Sequence, residues 1–338
     1  MGTMNNETNI PQAGPAAPAA APRRSDALPT DGGSRTVEAV AVGAGVPGPA
    51  DVIAQHAGAP RRVDADIVIP VYNEQEQLAA SVVTLMNHLE THRREGWAYT
   101  WNIVIADNAS TDATWGIAER LSAQYPERVR AIRIPAKGRG RALKLAWGES
   151  RARVVAYMDV DLSTDIAQTD ELIGALLYGG ADVSIGCRLF DESQVVRSAK
   201  REVISRTYNT MLRVMLGAAF HDAQCGFKGM TSEAARYLLP LIRDDEWFFD
   251  TEMLLLAQTV NMRIWEFPVH WVEDAGTTVN IPDTVRKDLA GMWRMRRTLS
   301  RMRANAEAAV PPAPDGRGRT AVAGTSGKTG PAAAAATA

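Results

Sequence analysis

The chain has 338 residues, a formal net charge of -2 and 46% hydrophobic residues. A near-neutral balance gives no electrostatic footprint for a nucleic-acid partner, and the apolar fraction is ample for a core. The two cysteines, Cys187 and Cys225, have no metal spacing and no disulfide framework, which points to packing roles in a reducing compartment. No apolar run reaches the length of a transmembrane helix, and no basic start followed by an apolar segment marks secretion, so a cytoplasmic location is expected.

Residues 1–62 are rich in Ala, Pro and Gly and read as a disordered tail, with the mildly apolar Val37–Val46 as a short ordered arm. Residues 306–338 read as a second disordered tail, which leaves 63–305 as one domain. Asp66–Val71 is a short apolar strand. Y-N-E follows it, then a helix over Gln75–Leu89 with Leu78, Val82, Leu85 and Leu89 on one stripe. Trp101–Ala106 is a strand ending at Asp107, and D-N-A-S-T-D turns into a helix from about Asp112 or Ala113, with Asp112 as its cap. Val129–Ile134 is the third strand. Gly138–Gly148 covers a basic loop, G-R-G-R, and a short helix starting at A-L-K-L. Val154–Met158 is the fourth strand, Thr169–Tyr178 a helix and Ala181–Gly186 the fifth strand. Strand–helix alternation with short links gives an α/β fold, a mostly parallel central sheet flanked by helices.

After Arg188 the alternation breaks. Ser198–Leu216 is a long helix carrying Arg201, Arg206 and Arg213, and H-D-A-Q-C-G-F-K-G-M is a compact polar segment. Ser232–Leu239 and Phe248–Gln258 read as helices, Met262–Phe267 as a strand, and Val285–Met302 as a basic amphipathic helix. This second half completes a site rather than forming a domain of its own.

The chemistry centres on V-V-A-Y-M-D-V-D-L-S-T-D. Asp159 and Asp161 stand where an apolar strand runs out, and side chains at i and i+2 of extended backbone share a face. Two carboxylates so placed repel, and a divalent cation bridging to phosphate offsets that cost; the alternative is a solvated acidic turn. Ligands of parallel α/β sheets bind beyond the carboxyl ends of the strands, which favours the cation.

The set P-V-Y-N-E, A-D-N-A-S-T-D, K-G-R-G-R-A-L and M-D-V-D-L-S-T-D resembles family 2 glycosyltransferases of the single-Rossmann-like GT-A kind. G-C-R, D-A-Q-C-G-F-K and W-F-F-D-T-E-M-L resemble the branch that makes dolichyl- or polyprenyl-phosphate sugars, the dolichyl-phosphate β-glucosyltransferases above all. The likeness spans about residues 64–300 and departs at Asn108-Ala109, where the family often has Asp-Gly. It implies that 63–188 holds the nucleotide sugar and metal and that 189–305 serves the acceptor. Pro70, Tyr72 and Glu74 would line the nucleotide pocket, Asp107 would meet the base, and Lys137 and Arg141 would close over the nucleotide. Asp159 and Asp161 would hold Mg²⁺ or Mn²⁺ against the diphosphate. Gln224 would lie near the sugar.

The implied reaction is inverting transfer of a hexose. UDP-glucose is the first choice of donor, with GDP-mannose or a UDP-N-acetylhexosamine behind it. The implied acceptor is a polyprenyl phosphate, with a soluble small molecule as the alternative and a sugar-nucleotide-binding protein without turnover as the non-enzyme reading. A phosphate acceptor asks for a second anion pocket, for which Arg188, Arg201 and Arg206 are candidates; Arg201 and Arg206 read equally as surface charges. Asp250 and Asp222 are the candidate bases should the acceptor be a hydroxyl, and orienting groups should it be a phosphate. Arginines interleaved with Met, Trp and Leu over 285–302 suit peripheral membrane contact as well as core packing.

Overall fold

Residues 55–57, 60, 62–94, 99–273 and 281–309 are described by the computed structural model. The two tails, apart from a short strand at 55–57, residues 60 and 62 and the last four residues of a helix ending at Ala309, lie outside the described residues, as does the expected arm at Val37–Val46. The elements in order are β1 (Gln55–Ala57), β2 (Ala65–Val71), α1 (Leu78–Arg94), β3 (Trp101–Asn108), α2 (Thr114–Gln124), β4 (Val129–Ile134), α3 (Arg139–Glu149), β5 (Val154–Met158), α4 (Thr169–Leu177), β6 (Val183–Cys187), β7 (Gln194–Val196), α5 (Ala199–Leu216), β8 (Phe227–Thr231), α6 (Ser232–Leu238), α7 (Phe249–Thr259), β9 (Ile264–Pro268), β10 (His270–Val272) and α8 (Ile281–Ala309). A single 3-10 turn, Ile166–Gln168, precedes α4.

Eight strands form one sheet in the order β1-β4-β3-β2-β5-β8-β6-β9. β4, β3, β2 and β5 run parallel, as do β6 and β9, whereas β8 is antiparallel to both β5 and β6. The mostly parallel sheet expected from the sequence is thus present, with one reversed strand at its centre. Every residue of β3 and of β5 is buried, as a strand covered on both faces requires. Alternation divides the core: Ile67, Ile69, Ile103 and Ile105 pack with residues of α1, α2 and α4, while Val68, Val104, Val155 and Tyr157 pack with residues of α3, α5, α6, α7 and α8.

Four departures from the expected elements stand out. β8 was hidden because F-K-G-M-T carries a lysine and a glycine where a buried strand is normally apolar; Lys228 nevertheless sits directly opposite Tyr157 of β5. The G-R-G-R loop is the first turn of α3, which begins at Arg139. That turn lies hard against the start of α7, since a Cβ on Gly140 would be 2.7 Å from Phe249 Cβ. β7 and β10, three residues each, pair with each other and were too short to show a period. α8 outruns the expected 285–302 at both ends.

α8 docks through Met292, Met295 and Leu299, all buried, and through a close approach at Gly291, where a Cβ would come within 2.5 Å of Phe248 Cγ. Gly291→Ala overpacks this contact and is expected to cost about 1–3 kcal/mol. A thermal melt showing no drop in midpoint would contradict the docking.

Candidate active site

The loops at the carboxyl ends of β2 and β3 are stitched to one another. The Asn73 N–H donates to Ser110 Oγ at 2.9 Å, the Thr111 N–H to Asn73 Oδ1 at 2.9 Å, and the Glu74 N–H to Thr114 Oγ1 at 2.8 Å. Asn108 extends the weld by accepting from the Gly138 N–H at 2.6 Å. Asn73 and Ala109 take left-handed backbone, with φ of 56° and 61°; at Ala109 this is the conformation glycine adopts most easily. Pro70 and Tyr72 are half-buried on this edge, and the exposed Lys137 places Nζ 3.6 Å from the Tyr72 ring centroid. Asp107, expected to meet a base, is fully buried. It accepts from the Ser110 N–H and faces Arg133 Nε at 3.2 Å, and burial raises its carboxyl above the usual range.

Asp159 and Asp161 follow β5 as expected. The Asp161 carboxylate accepts from the Ser163 N–H at 2.9 Å, and Leu162 between them takes a φ of 51°, a strained setting for a branched side chain. The Asp159 side chain is 43% exposed. Beneath it lies Gly226, where a Cβ would fall 1.7 Å from Asp159 Oδ2. Among the described residues no three His, Cys, Asp or Glu side chains gather as a complete cage. An open carboxylate pair over a side-chain-free floor fits a hard divalent cation that completes its shell with phosphate oxygens and water.

Arg139 is the hub. Its Nη2 lies 3.0 Å from Asp159 Oδ1 and its Nη1 2.6 Å from Asp250 Oδ2. The guanidinium lies 4.7 Å from the Tyr157 ring centroid and 5.1 Å from that of Trp247. Asp250, in the first turn of α7 where the helix dipole favours an anion, also accepts from Tyr157 Oη at 2.6 Å. Burial, with Asp250 and Asp159 nearby, keeps the Tyr157 phenol protonated against the opposing pull of Arg139. Sequence reasoning grouped Arg139 with Lys137 and Arg141 but chose the other two. In the structure Arg141 is tied to Asp245 at 2.8 Å and to the carbonyls of Ala136 and Lys137.

Asp222, a candidate base, lies in an ion pair with Arg188. It is fully buried, and Arg188 grips both its oxygens, Nε to Oδ2 at 2.8 Å and Nη2 to Oδ1 at 3.0 Å. Burial alone would raise this carboxyl, but the Arg188 guanidinium, with Lys228 beyond it, holds it down to about 2. Arg188 also lies 5.5 Å from the Trp271 ring centroid. Arg201 and Arg206 are not brought to this pair: Arg201 is bound to Glu273 at 2.7 Å, and the exposed Arg206 to Glu202 one turn before it. Gln224 follows Asp222 and points its amide toward Asp288 Oδ2 at 3.5 Å. Burial pushes the Cys187 thiol up to about 12 and the Cys225 thiol to about 11, as packing residues require.

Residues 66–239 match the family described as glycosyl transferase family 2. The chain belongs to this family. Among curated relatives, the glycosyltransferase AglD of Haloferax volcanii is 36% identical over 231 residues, 68% of this chain and 36% of that one; the chain therefore spans about a third of AglD's length. A dolichyl-phosphate beta-glucosyltransferase of Mus musculus is 27% identical over 253 residues, covering 69% of this chain and 78% of the relative. Among solved structures, glucosyl-3-phosphoglycerate synthase of Mycobacterium tuberculosis with Mn²⁺ and UDP-glucose aligns at a TM-score of 0.49 with 18% identity, over 69% of this chain and 79% of that one. A mannosyltransferase of Pyrobaculum calidifontis with GDP-Man and Mn²⁺ aligns at 0.43 with 18% identity, over 77% and 68%.

In this family member α8 reaches the same cluster through Asp288, buried beside Gln224, and through Lys287, paired with Glu246 at 2.7 Å next to Trp247. Burial, and Asp244 facing it, push the Asp288 carboxyl up to about 7. The folded protein therefore holds this proton more tightly than the unfolded chain, so stability falls as pH rises from about 4 to about 7. Asp288→Asn removes that slope. The variant should match the parent near pH 4 and exceed it by about 2–4 kcal/mol at pH 8. Paired thermal melts across that range would show a flat difference if Asp288 titrates normally.

Proposed function

We propose that this family member transfers a hexose, glucose first, from a nucleoside-diphosphate sugar to a polyprenyl phosphate with inversion at the anomeric carbon. One observation carries the acceptor: both aspartates that the sequence singles out as candidate bases are already committed. Asp222 is locked to Arg188 and held near 2, and Asp250 accepts short hydrogen bonds on each oxygen from Arg139 and Tyr157. A hydroxyl acceptor needs its proton removed, whereas a phosphate oxygen attacks without that help. The dolichyl-phosphate beta-glucosyltransferases among its relatives support the same acceptor class and the choice of glucose.

The chemistry is one displacement. The acceptor phosphate oxygen bonds to the anomeric carbon as the bond from that carbon to the nucleoside diphosphate breaks, and no proton need move. Arg139 and Lys137 face the charge that develops on the leaving diphosphate. Asp159 and Asp161 would hold Mg²⁺ or Mn²⁺, which when bound supplies further neutralisation of that diphosphate. Arg188, whose Nε and Nη2 are taken by Asp222, can turn Nη1 to the acceptor phosphate.

Peripheral membrane contact is part of the proposal. No helix among the described residues is long and apolar enough to cross a membrane. On α8, Val285, Leu289 and Trp293 recur every four residues and are exposed. The guanidiniums of Arg296 and Arg297 lie 5.9 and 5.3 Å from the Trp293 ring centroid. An apolar stripe with a tryptophan among arginines suits an anionic interface.

The test combines purified protein, Mn²⁺, a panel of nucleotide sugars and either a short polyprenyl phosphate or a pool of soluble hydroxyl compounds, read by product mass. Sugar should appear on the lipid phosphate, and Asp161→Asn should lower the rate about a hundredfold or more. Sugar found only on soluble hydroxyl compounds would overturn the phosphate-acceptor reading. Separately, Trp293→Glu should lower co-sedimentation with anionic vesicles at least about threefold; equal sedimentation of the two proteins would remove α8 as the contact.

A further inference from the structure

Lys228 is a fully buried lysine at the centre of the sheet. It lies opposite Tyr157 on one side and Ile185 on the other. Burying an ammonium there costs several kcal/mol that a methionine of similar length would avoid. Its partners show what the charge faces. Lys228 Nζ donates to the Cys225 carbonyl, lies 3.4 Å from Tyr157 Oη, and stands 3.7 Å from Asp250 Oδ1. Asp250 is thus shared between two cations, Lys228 from below and Arg139 from above. Four charges alternate from the core outward: Lys228, Asp250, Arg139 and the part-exposed Asp159.

We propose that Lys228 is a positioning residue for Arg139: by sharing Asp250 it keeps the guanidinium at the mouth of the site, with charge left for a nucleoside diphosphate. Without Lys228, Asp250 answers to Arg139 alone and draws it inward, and Arg139 becomes a neutralised internal pair. Tyr157 belongs to the same device, because its hydroxyl touches Asp250 and lies against Lys228. This rests on the nucleotide-sugar reading above.

The experiment titrates the full chain calorimetrically with UDP in the presence of Mn²⁺, for the parent, Lys228→Met, Arg139→Ala and the double variant. Each single change is expected to weaken UDP about tenfold, with the double variant no weaker than Arg139→Ala alone. A lysine that only packs would lower the melting temperature and leave the affinity of the folded protein unchanged. That outcome, or losses that multiply in the double variant, overturns the proposal. Should Lys228→Met fail to fold, Tyr157→Phe keeps the ring and removes the hydroxyl. It should weaken UDP about threefold in the parent and have no effect in Arg139→Ala, and equal losses in both backgrounds overturn the proposal. Failure of the parent itself to bind UDP would instead overturn the donor reading, and this inference with it.

Discussion

The site is governed by carboxylates that cannot be left alone. Asp159, Asp222 and Asp250 converge beyond the ends of β5 and β8, and two of the three are almost wholly shielded from water. Each is answered by a cation from a different element: Arg139 from α3, Arg188 after β6 and Lys228 from β8. Removing one partner from a buried pair strands the other, so these cations and anions must be kept together or lost together. The order of motifs along the chain is therefore an electrostatic circuit as well as a set of ligand contacts.

That circuit separates two kinds of arginine. Arg139 and Arg188 are half-buried and lie against aromatic rings; Arg188 is bidentate to Asp222 and Arg139 bridges two carboxylates, settings in which a planar fork is most directional. Arg201 and Arg206 lie on the open side of α5 with glutamates for partners, and such pairs contribute little to stability. The difference bears on the acceptor, because a pocket for an anion needs cations whose position is fixed before the anion arrives.

The parallel strands β2, β3 and β5 were legible in the sequence because each carries an apolar run ended by a polar motif, and the paired aspartates were legible because they stand at such an end. β8 was not. A strand is recognised by its apolar residues, and this one spends a buried position on Lys228, whose justification lies in Tyr157 and Asp250, distant in sequence on both sides. Arg139 was ambiguous for a related reason: three basic residues spaced by glycines look alike until α3 is known to begin at Arg139, which turns one inward and the others out. Much of Y-N-E and D-N-A-S-T-D proved to bond the loops together, a role that no spacing rule distinguishes from ligand contact.

The position of β8 has a consequence for how the chain is made. β5 pairs on one side with β2 and on the other only with β8, which ends at Thr231. During synthesis the wall that carries Asp159 is complete in sequence some seventy residues before its second neighbour exists. Until then an apolar strand stands as an open edge, the kind of surface through which nascent chains adhere to one another. The half up to Arg188, taken alone, would keep that edge permanently; the half after it supplies the strand that seals it. The two halves are in this sense one folding unit, and a boundary drawn between them would cut through the middle of a sheet.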